Sequence, residues 1–478
     1  MANSNLKPSR TLLRYGGFLA SVGTARVLGL LITSVTFPVL VRRLGVETYG
    51  LWSYVVALCA FGDVVANPGL TTYTTQQVAA RRHEAAGIVP DFLALRLLAS
   101  IVAAAALLVV AAFEVRADVR SLLRWYGLGA LVVSLTGSDF LLTSLELFHA
   151  RSLLSLIQQA IYAAGVLSLV HSPRDIMWVP ASILGSSLLT NVAGWFVLRH
   201  NGFRPPLSIS PSRWRAMLVP SLHYAATTAM GTVYHRTGQV VVRWFLGDHA
   251  LGLYAAAVRF VDLLRNLVGL GFSVLMPRMA LSAQSAAGMK RLVRAAVSAL
   301  AAISIPLMLG TLATAHLVVP WLMGGNYAEA VPAVRWMSPF LIAAPLATLL
   351  SGTVLYALGR HRACLQAATA GAIVAVVLSL TLVQVFGLTG ACIAFVAAEF
   401  AVAFTAYCLI PPELRDLWKN PMVAVAAFAA VVMSIAVRLV NSYTSRPLLV
   451  VTAGLIVYAI VSALLGRKFL MQQFGNAQ

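Results

Sequence analysis

Apolar runs of about 20 residues or more, separated by short polar breaks, recur along the whole chain. Each is long enough to cross about 30 Å of hydrocarbon as a helix. The pattern predicts fourteen such spans. The first seven cover residues 12–40, 50–75, 92–114, 122–146, 149–170, 175–198 and 216–245. The second seven cover 250–277, 291–322, 332–358, 363–386, 388–410, 420–440 and 447–466. A membrane barrel would instead show alternating segments of about 10 residues. The predicted class is therefore all-α, a polytopic membrane protein.

The breaks carry a repeat. Leu44-Gly45-Val46-Glu47-Thr48-Tyr49-Gly50-Leu51-Trp52 returns 202 positions later as Leu246-Gly247-Asp248-His249-Ala250-Leu251-Gly252-Leu253-Tyr254. Arg124-Trp125 matches Arg335-Trp336, and Val166-Leu167-Ser168-Leu169 matches Val377-Leu378-Ser379-Leu380, both at an offset of 211. The change of offset predicts an insertion in the second half, where Met323-Gly324-Gly325-Asn326-Tyr327 reads as a longer external loop. Each half holds six spans, an even number, so the halves are expected to be parallel repeats about an axis along the membrane normal. The expected organisation is an N-lobe at 1–198, a basic linker at 199–215 and a C-lobe at 216–410. Residues 411–478 add two spans without repeat partners and a tail.

Composition agrees with this pattern. The 478 residues are 60% hydrophobic and 10% charged, with mean hydropathy +0.85, too little polar surface to cover a soluble globule. The net charge of +20 lies in short clusters between apolar runs, without the continuous stripe that a nucleic acid would need. Counted over loops, Lys and Arg favour one face by roughly two to one, which places both termini in the cytoplasm. Lys7, Arg10 and Arg14 precede an apolar run that is too long for a signal peptide, so span one is expected to be retained. Cys59, Cys364, Cys392 and Cys408 fall inside spans at spacings that imply neither disulfide nor metal.

Ionisable groups deep in a span cost about +2.5 to +3.5 kcal/mol and need a partner, a wet cavity or a function. Arg26, Asp63, Asp139, Arg236, Arg265 and Glu399 are predicted near mid-membrane, with Arg259 and Asp262 in the outer half. Arg26 is flanked by Gly23 and Gly29, which permit close approach or a bend. Arg259, Asp262 and Asn266 share a helical face, with Arg265 at its edge. Asp63 and Arg265 are related by the repeat offset and carry opposite charge. They either pair across the cleft between the lobes or find partners within their own lobe.

Asp139, Thr143 and Glu146 fall on one face of span four, and Glu146 has Arg151 nearby as a structural partner. Glu399 is either a coupling site or the pair of a basic residue on another helix. Asn67-Pro68-Gly69 and Ile305-Pro306 interrupt spans two and nine as candidate hinges or kinks. Trp52, Tyr54, Trp321, Tyr327 and Trp336 read mainly as interface anchors.

The segments RRLGVETYGLW, WFLGDHALGLYAAAVRF and PWLMGGNYAEAVPAVRWM, followed by LYALGRHR, together resemble the polysaccharide-transporter branch of the MOP superfamily. That branch includes the Wzx-type O-antigen flippases for undecaprenyl-diphosphate-linked oligosaccharides, which work in the bacterial inner membrane. The resemblance covers residues 10–410. It implies two six-helix lobes around a central cavity, lipid-linked oligosaccharide as cargo, and a place in lipopolysaccharide or other surface-polysaccharide biosynthesis.

Guanidinium groups bind phosphate oxygens bidentately and keep their charge. Arg26, Arg236, Arg259 and Arg265 are thus the candidate diphosphate and sugar site. Asp63, Asp139, Asp262 and Glu399 are the candidate coupling or gating residues, with H+ or Na+ as the coupling ion and no other cofactor. Relatives often carry an acid in span seven where this chain has Arg236-Thr237-Gly238-Gln239. Membrane lipids, a polysaccharide polymerase and chain-length machinery are the expected partners, and no nucleic acid.

Alternatives within the superfamily are a lipid II flippase and a multidrug antiporter, the latter disfavoured by four arginines where cationic drugs would want acids. From another class, a membrane polysaccharide polymerase or ligase would need a long catalytic loop, and no predicted external loop exceeds about 15 residues. The chain has no Walker loop, HExxH or nucleophile elbow, so a secondary transporter is expected, not an enzyme.

Overall fold

A computed structural model describes residues 8–81, 85–205, 209–282, 286–415 and 421–475. The described residues are helical, with turns and no strand. Among the described residues fourteen α-helices run in the order α1 Pro8–Ala66, α2 Leu70–Ala80, α3 Ala85–Phe113, α4 Ala117–Thr136, α5 Asp139–Ser144, α6 Phe148–Leu169 and α7 Trp178–His200. They continue as α8 Trp214–Ser282, α9 Ala286–Met323, α10 Val331–Met337, α11 Phe340–Ala347, α12 His361–Leu409, α13 Pro421–Tyr443 and α14 Pro447–Gly475.

Helices α1, α8 and α12 contain 59, 69 and 49 residues. As straight rods they would measure about 75 to 105 Å, more than twice the hydrocarbon thickness. Each is bent at one glycine with positive φ: Gly45 at 72°, Gly247 at 84° and Gly387 at 56°. A side chain would be strained there, so glycine is what lets two spans follow each other without a loop. The bends join the predicted spans one and two, seven and eight, and eleven and twelve.

Eight described helices are by themselves long and apolar enough to cross a membrane. A bent pair, Gly325–Met337 and Phe340–Leu355 at 52°, makes a ninth. Helix α8 is less apolar because it carries Arg236, Arg243, Asp248, Arg259, Asp262 and Arg265. Large apolar side chains stand exposed along the helices, among them Val35, Val109, Leu189, Val385 and Phe404, as expected of a surface solvated by lipid.

By packing, the chain forms two units. One holds the chain up to Leu44 and Val55–Ala229; the other holds Gly45–Tyr54 and everything from Met230. In the first unit, α3 packs on α4, α6 on α7 and α2 on α5. Its core gathers Leu70, Phe92, Phe140, Leu141, Leu154 and Leu198. In the second, α9 packs against α11, α13 and α14, and α12 against α10 and α11. Its core includes Val293, Leu349, Leu350, Ala367 and Ala406. The two helices beyond the repeat thus lie along α9.

Several expectations need correction. Span four is not one helix: α4 stops at Thr136, Gly137 and Ser138 break it, and α5 ends at Ser144. Glu146 then sits in a left-handed turn at φ 60°, so it does not continue the helical face of Asp139 and Thr143. The segment at 323–327 is no open loop but a tight helical turn over Gly325–Ala330. Tyr327 within it is buried, as are Trp52 and Tyr54, so these three are packing residues. Trp321 and Trp336 remain exposed, as anchors require.

Asn67-Pro68-Gly69 is a full break. The Asn67 side chain accepts from the Thr71 amide at 3.0 Å, which satisfies a first-turn donor of α2 beyond its N-cap residue Gly69. Pro306, by contrast, is accommodated within continuous α9.

Candidate functional sites

The second unit collects most of the predicted site. Beyond its Gly247 bend, α8 carries Arg259, Asp262 and Arg265 on successive turns. Arg265 Nε lies 3.3 Å from Asp262 Oδ1, an ion-pair distance without directed hydrogen-bond geometry. The Arg265 guanidinium also stands 5.7 Å from the Phe340 ring centroid. Before the bend, Arg236 Nη1 donates to Gln239 Oε1 at 3.3 Å. Arg265, Arg259 and Arg236 all act electrostatically on Asp262, with Arg265 at ion-pair distance. Arg265 is the partner that Asp262 holds most closely, which gives Arg265 a pairing inside its own unit.

Glu399, on α12, is 2% exposed. Its carboxylate Oε1 lies 3.7 Å from His235 Nε2 on α8. The sequence shows no local partner for Glu399, because His235 is distant in the chain and sits in an unremarkable run.

In the first unit the polar residues form two cavities. One, of about 200 Å³, is lined by Arg26, Asp139, Arg151, Ser152, Ser155 and Gln159. Two guanidinium groups against one carboxylate, with hydroxyls and an amide, make an anion-binding set of donors. An added Cβ at Gly29 would meet the Gln159 amide, so that glycine admits the α6 side chain beside Arg26. The other cavity, of about 360 Å³, includes Asp63, Asn67, Arg96, Ser100, Tyr126 and Ser187. Arg96, from α3, feels the charges of both Asp63 and Asp139. Arg96 was not foreseen as a site residue, since it falls close to the predicted end of a span, where a basic residue is unexceptional.

A third cavity, of about 420 Å³, is almost wholly apolar. Leu264, Leu267, Ile303, Pro306, Leu307 and Val437 line it, between α8, α9, α13 and α14.

The basic connector is anchored. Asp91, 1% exposed near the start of α3, accepts the Ser210 amide at 2.6 Å and lies 3.9 Å from Arg213.

The model of a family described as polysaccharide biosynthesis protein matches residues 18–283, more than half of the chain. The chain belongs to that family. No protein of curated function matches it in sequence. Among solved structures, it is similar to the lipid II flippase MurJ in an inward closed conformation, at 14% identity and TM-score 0.74, over 95% of this chain and 99% of that one. It is similar to an inward-facing multidrug resistance MATE transporter of the MOP superfamily at 13% identity and TM-score 0.64, over 84% and 98%. A third is a MOP superfamily transporter from Pyrococcus furiosus whose binding pocket is described as reversed in polarity, at 13% identity and TM-score 0.57, over 86% and 96%. Its long apolar helices make this member of the polysaccharide biosynthesis family a multi-pass membrane protein, and its fold is the one these solved transporters share.

Proposed function

We propose that this family member is a Wzx-type flippase, which moves undecaprenyl-diphosphate-linked oligosaccharide across the bacterial inner membrane for surface polysaccharides such as O-antigen. The observation that supports the reading is the pairing of Arg265 with Asp262 at 3.3 Å, on a helix where Arg236 and Arg259 add their charge to the field at the same carboxylate. A lipid diphosphate brings about two negative charges, and a set of guanidinium groups in excess over nearby carboxylates can neutralise them away from water. Arg26, with Arg151 beside it, offers a second anion-binding set in the other unit. The apolar cavity between α8, α9, α13 and α14 suits the first isoprene units of a tail that otherwise remains in lipid.

In this reading the cycle is alternating access around a cationic central cleft, with both termini in the cytoplasm. Asp63, Asp139, Asp262 and Glu399 serve gating or ion coupling. Polymerase and chain-length proteins would receive the product on the far side.

A lipid II flippase is the second reading, supported by a fold match that extends over 95% of the chain. Proteoliposomes offered either lipid II or lipid-linked oligosaccharide separate the two. Faster translocation of the oligosaccharide is expected; selective translocation of lipid II would replace the first reading with the second.

A further inference from the structure

Glu399 poses a problem that the anion site does not solve. A carboxylate 2% exposed and surrounded by apolar helices must be neutralised, and its nearest ionisable partner is a histidine, not an arginine. His235 lies twelve residues before the Gly247 bend of α8, and Glu399 twelve residues after the Gly387 bend of α12. Both therefore stand about 18 Å along their helices from a bend. The two helices bring them to 3.7 Å, with the Glu399 side chain 3% exposed and the His235 side chain 34% exposed.

We propose that His235 and Glu399 form a proton-binding site, with Glu399 the buried acceptor and His235 the group that exchanges the proton with water. The site rests on the anion reading above in one respect: the charges that act on it are those that would hold the cargo.

Glu399 and His235 feel Arg265, and His235 also Arg236; on the acidic side Asp262 acts on Glu399. Tyr234 neighbours His235, with ring centroids 4.2 Å apart. Phe395, one turn before Glu399, faces His235 at 6.4 Å and stacks on Phe340 of α11 at 4.8 Å. Tyr254 and Cys392 lie further toward the bends.

With one shared proton the pair is neutral. With none it carries one negative charge, which Arg236 and Arg265 can balance. When a diphosphate occupies those arginines, the balance is lost and Glu399 takes up a proton; when the diphosphate leaves, the proton is released. Anion and proton then favour each other's binding by the same factor, as linkage requires. Sodium is a poor fit, since a hard cation takes a shell of oxygens and half of this pair is an imidazole.

The test is infrared difference spectroscopy of the full chain in proteoliposomes, titrated across about pH 5 to 9, for wild type, Glu399→Gln and His235→Asn. The expected result is a carboxylic carbonyl band that titrates in wild type, is missing in Glu399→Gln and has a displaced midpoint in His235→Asn. Absence of any titrating band sensitive to Glu399→Gln, in chains that elute as the wild type does on size exclusion, would overturn the proton site. Adding farnesyl diphosphate as probe should raise the wild-type midpoint by about one pH unit, a tenfold change in proton affinity. A band that titrates but ignores the probe would keep the proton site and remove the anion site from the account.

Discussion

Gly50 and Gly252 hold the two copies of the Leu-Gly motif together through their missing side chains. A Cβ on Gly50 would overlap the carbonyl oxygen of Asp248, and a Cβ on Gly252 would overlap that of Val46. Val46 and Asp248 are themselves equivalent at the same 202-residue offset, so the contact is reciprocal, a local two-fold made of bare backbone. The bends beside it match as well, with Gly45 at φ 72°, ψ 173° and Gly247 at φ 84°, ψ −176°.

Alanine at either close-contact position should therefore push one motif off the other. Overpacking of this kind costs about 1–3 kcal/mol. Gly50→Ala and Gly252→Ala are each expected to lower the thermal unfolding midpoint in detergent. The double variant should cost less than the sum, because the first change already opens the contact the second would crowd. Full additivity would indicate two independent sites.

Arg243 binds the same region from α8. Its Nε donates to Asp248 Oδ1 at 2.8 Å, with the two side chains 11% and 13% exposed, and its guanidinium lies 3.8 Å from the Tyr54 ring centroid. Arg243→Ala leaves a buried carboxylate without its closest cation, a loss of about 3–5 kcal/mol. Tyr54→Phe keeps the ring face and should be nearly neutral, whereas Tyr54→Leu forfeits the cation–π contact, about 0.5–2 kcal/mol. Thermal unfolding of the three variants ranks them; equal effects from Phe and Leu would remove the ring from the interaction.

Asp91 should control the connector. Asp91→Ala deprives the Ser210 amide of an ionised acceptor, worth about 1.5–3 kcal/mol. Opening of the segment, read as tryptic cleavage after Arg213, is expected to quicken by about tenfold or more. Unchanged cleavage would mean that the connector is held by other contacts.

The helical architecture was legible in the sequence because lipid leaves the backbone few choices, and the two Leu-Gly bends were legible because Gly45 and Gly247 take a backbone conformation that favours glycine. Glu146 was misplaced because helical periodicity was carried through Gly137-Ser138, where the helix stops. Trp52, Tyr54 and Tyr327 were misread because aromatic residues near a span end serve lipid or packing equally well, and only the tertiary structure decides. The pairing of Glu399 with His235 had one faint signal, the equal spacing of each from a glycine bend. The charged residues of α8 were legible because charges in an apolar run stand out.

The role of the α8 arginines is read in translocation. Lipid-linked oligosaccharide labelled in its glycan is placed in one leaflet of proteoliposomes, and its arrival in the other is followed for wild type, Arg265→Ala and Arg265→Lys. Loss of one bidentate cation from the cluster predicts a slowing of about tenfold or more in Arg265→Ala, with Arg265→Lys intermediate because it restores charge without the planar fork. Wild-type translocation by well-folded Arg265→Ala, or none by the wild type itself, would contradict the account.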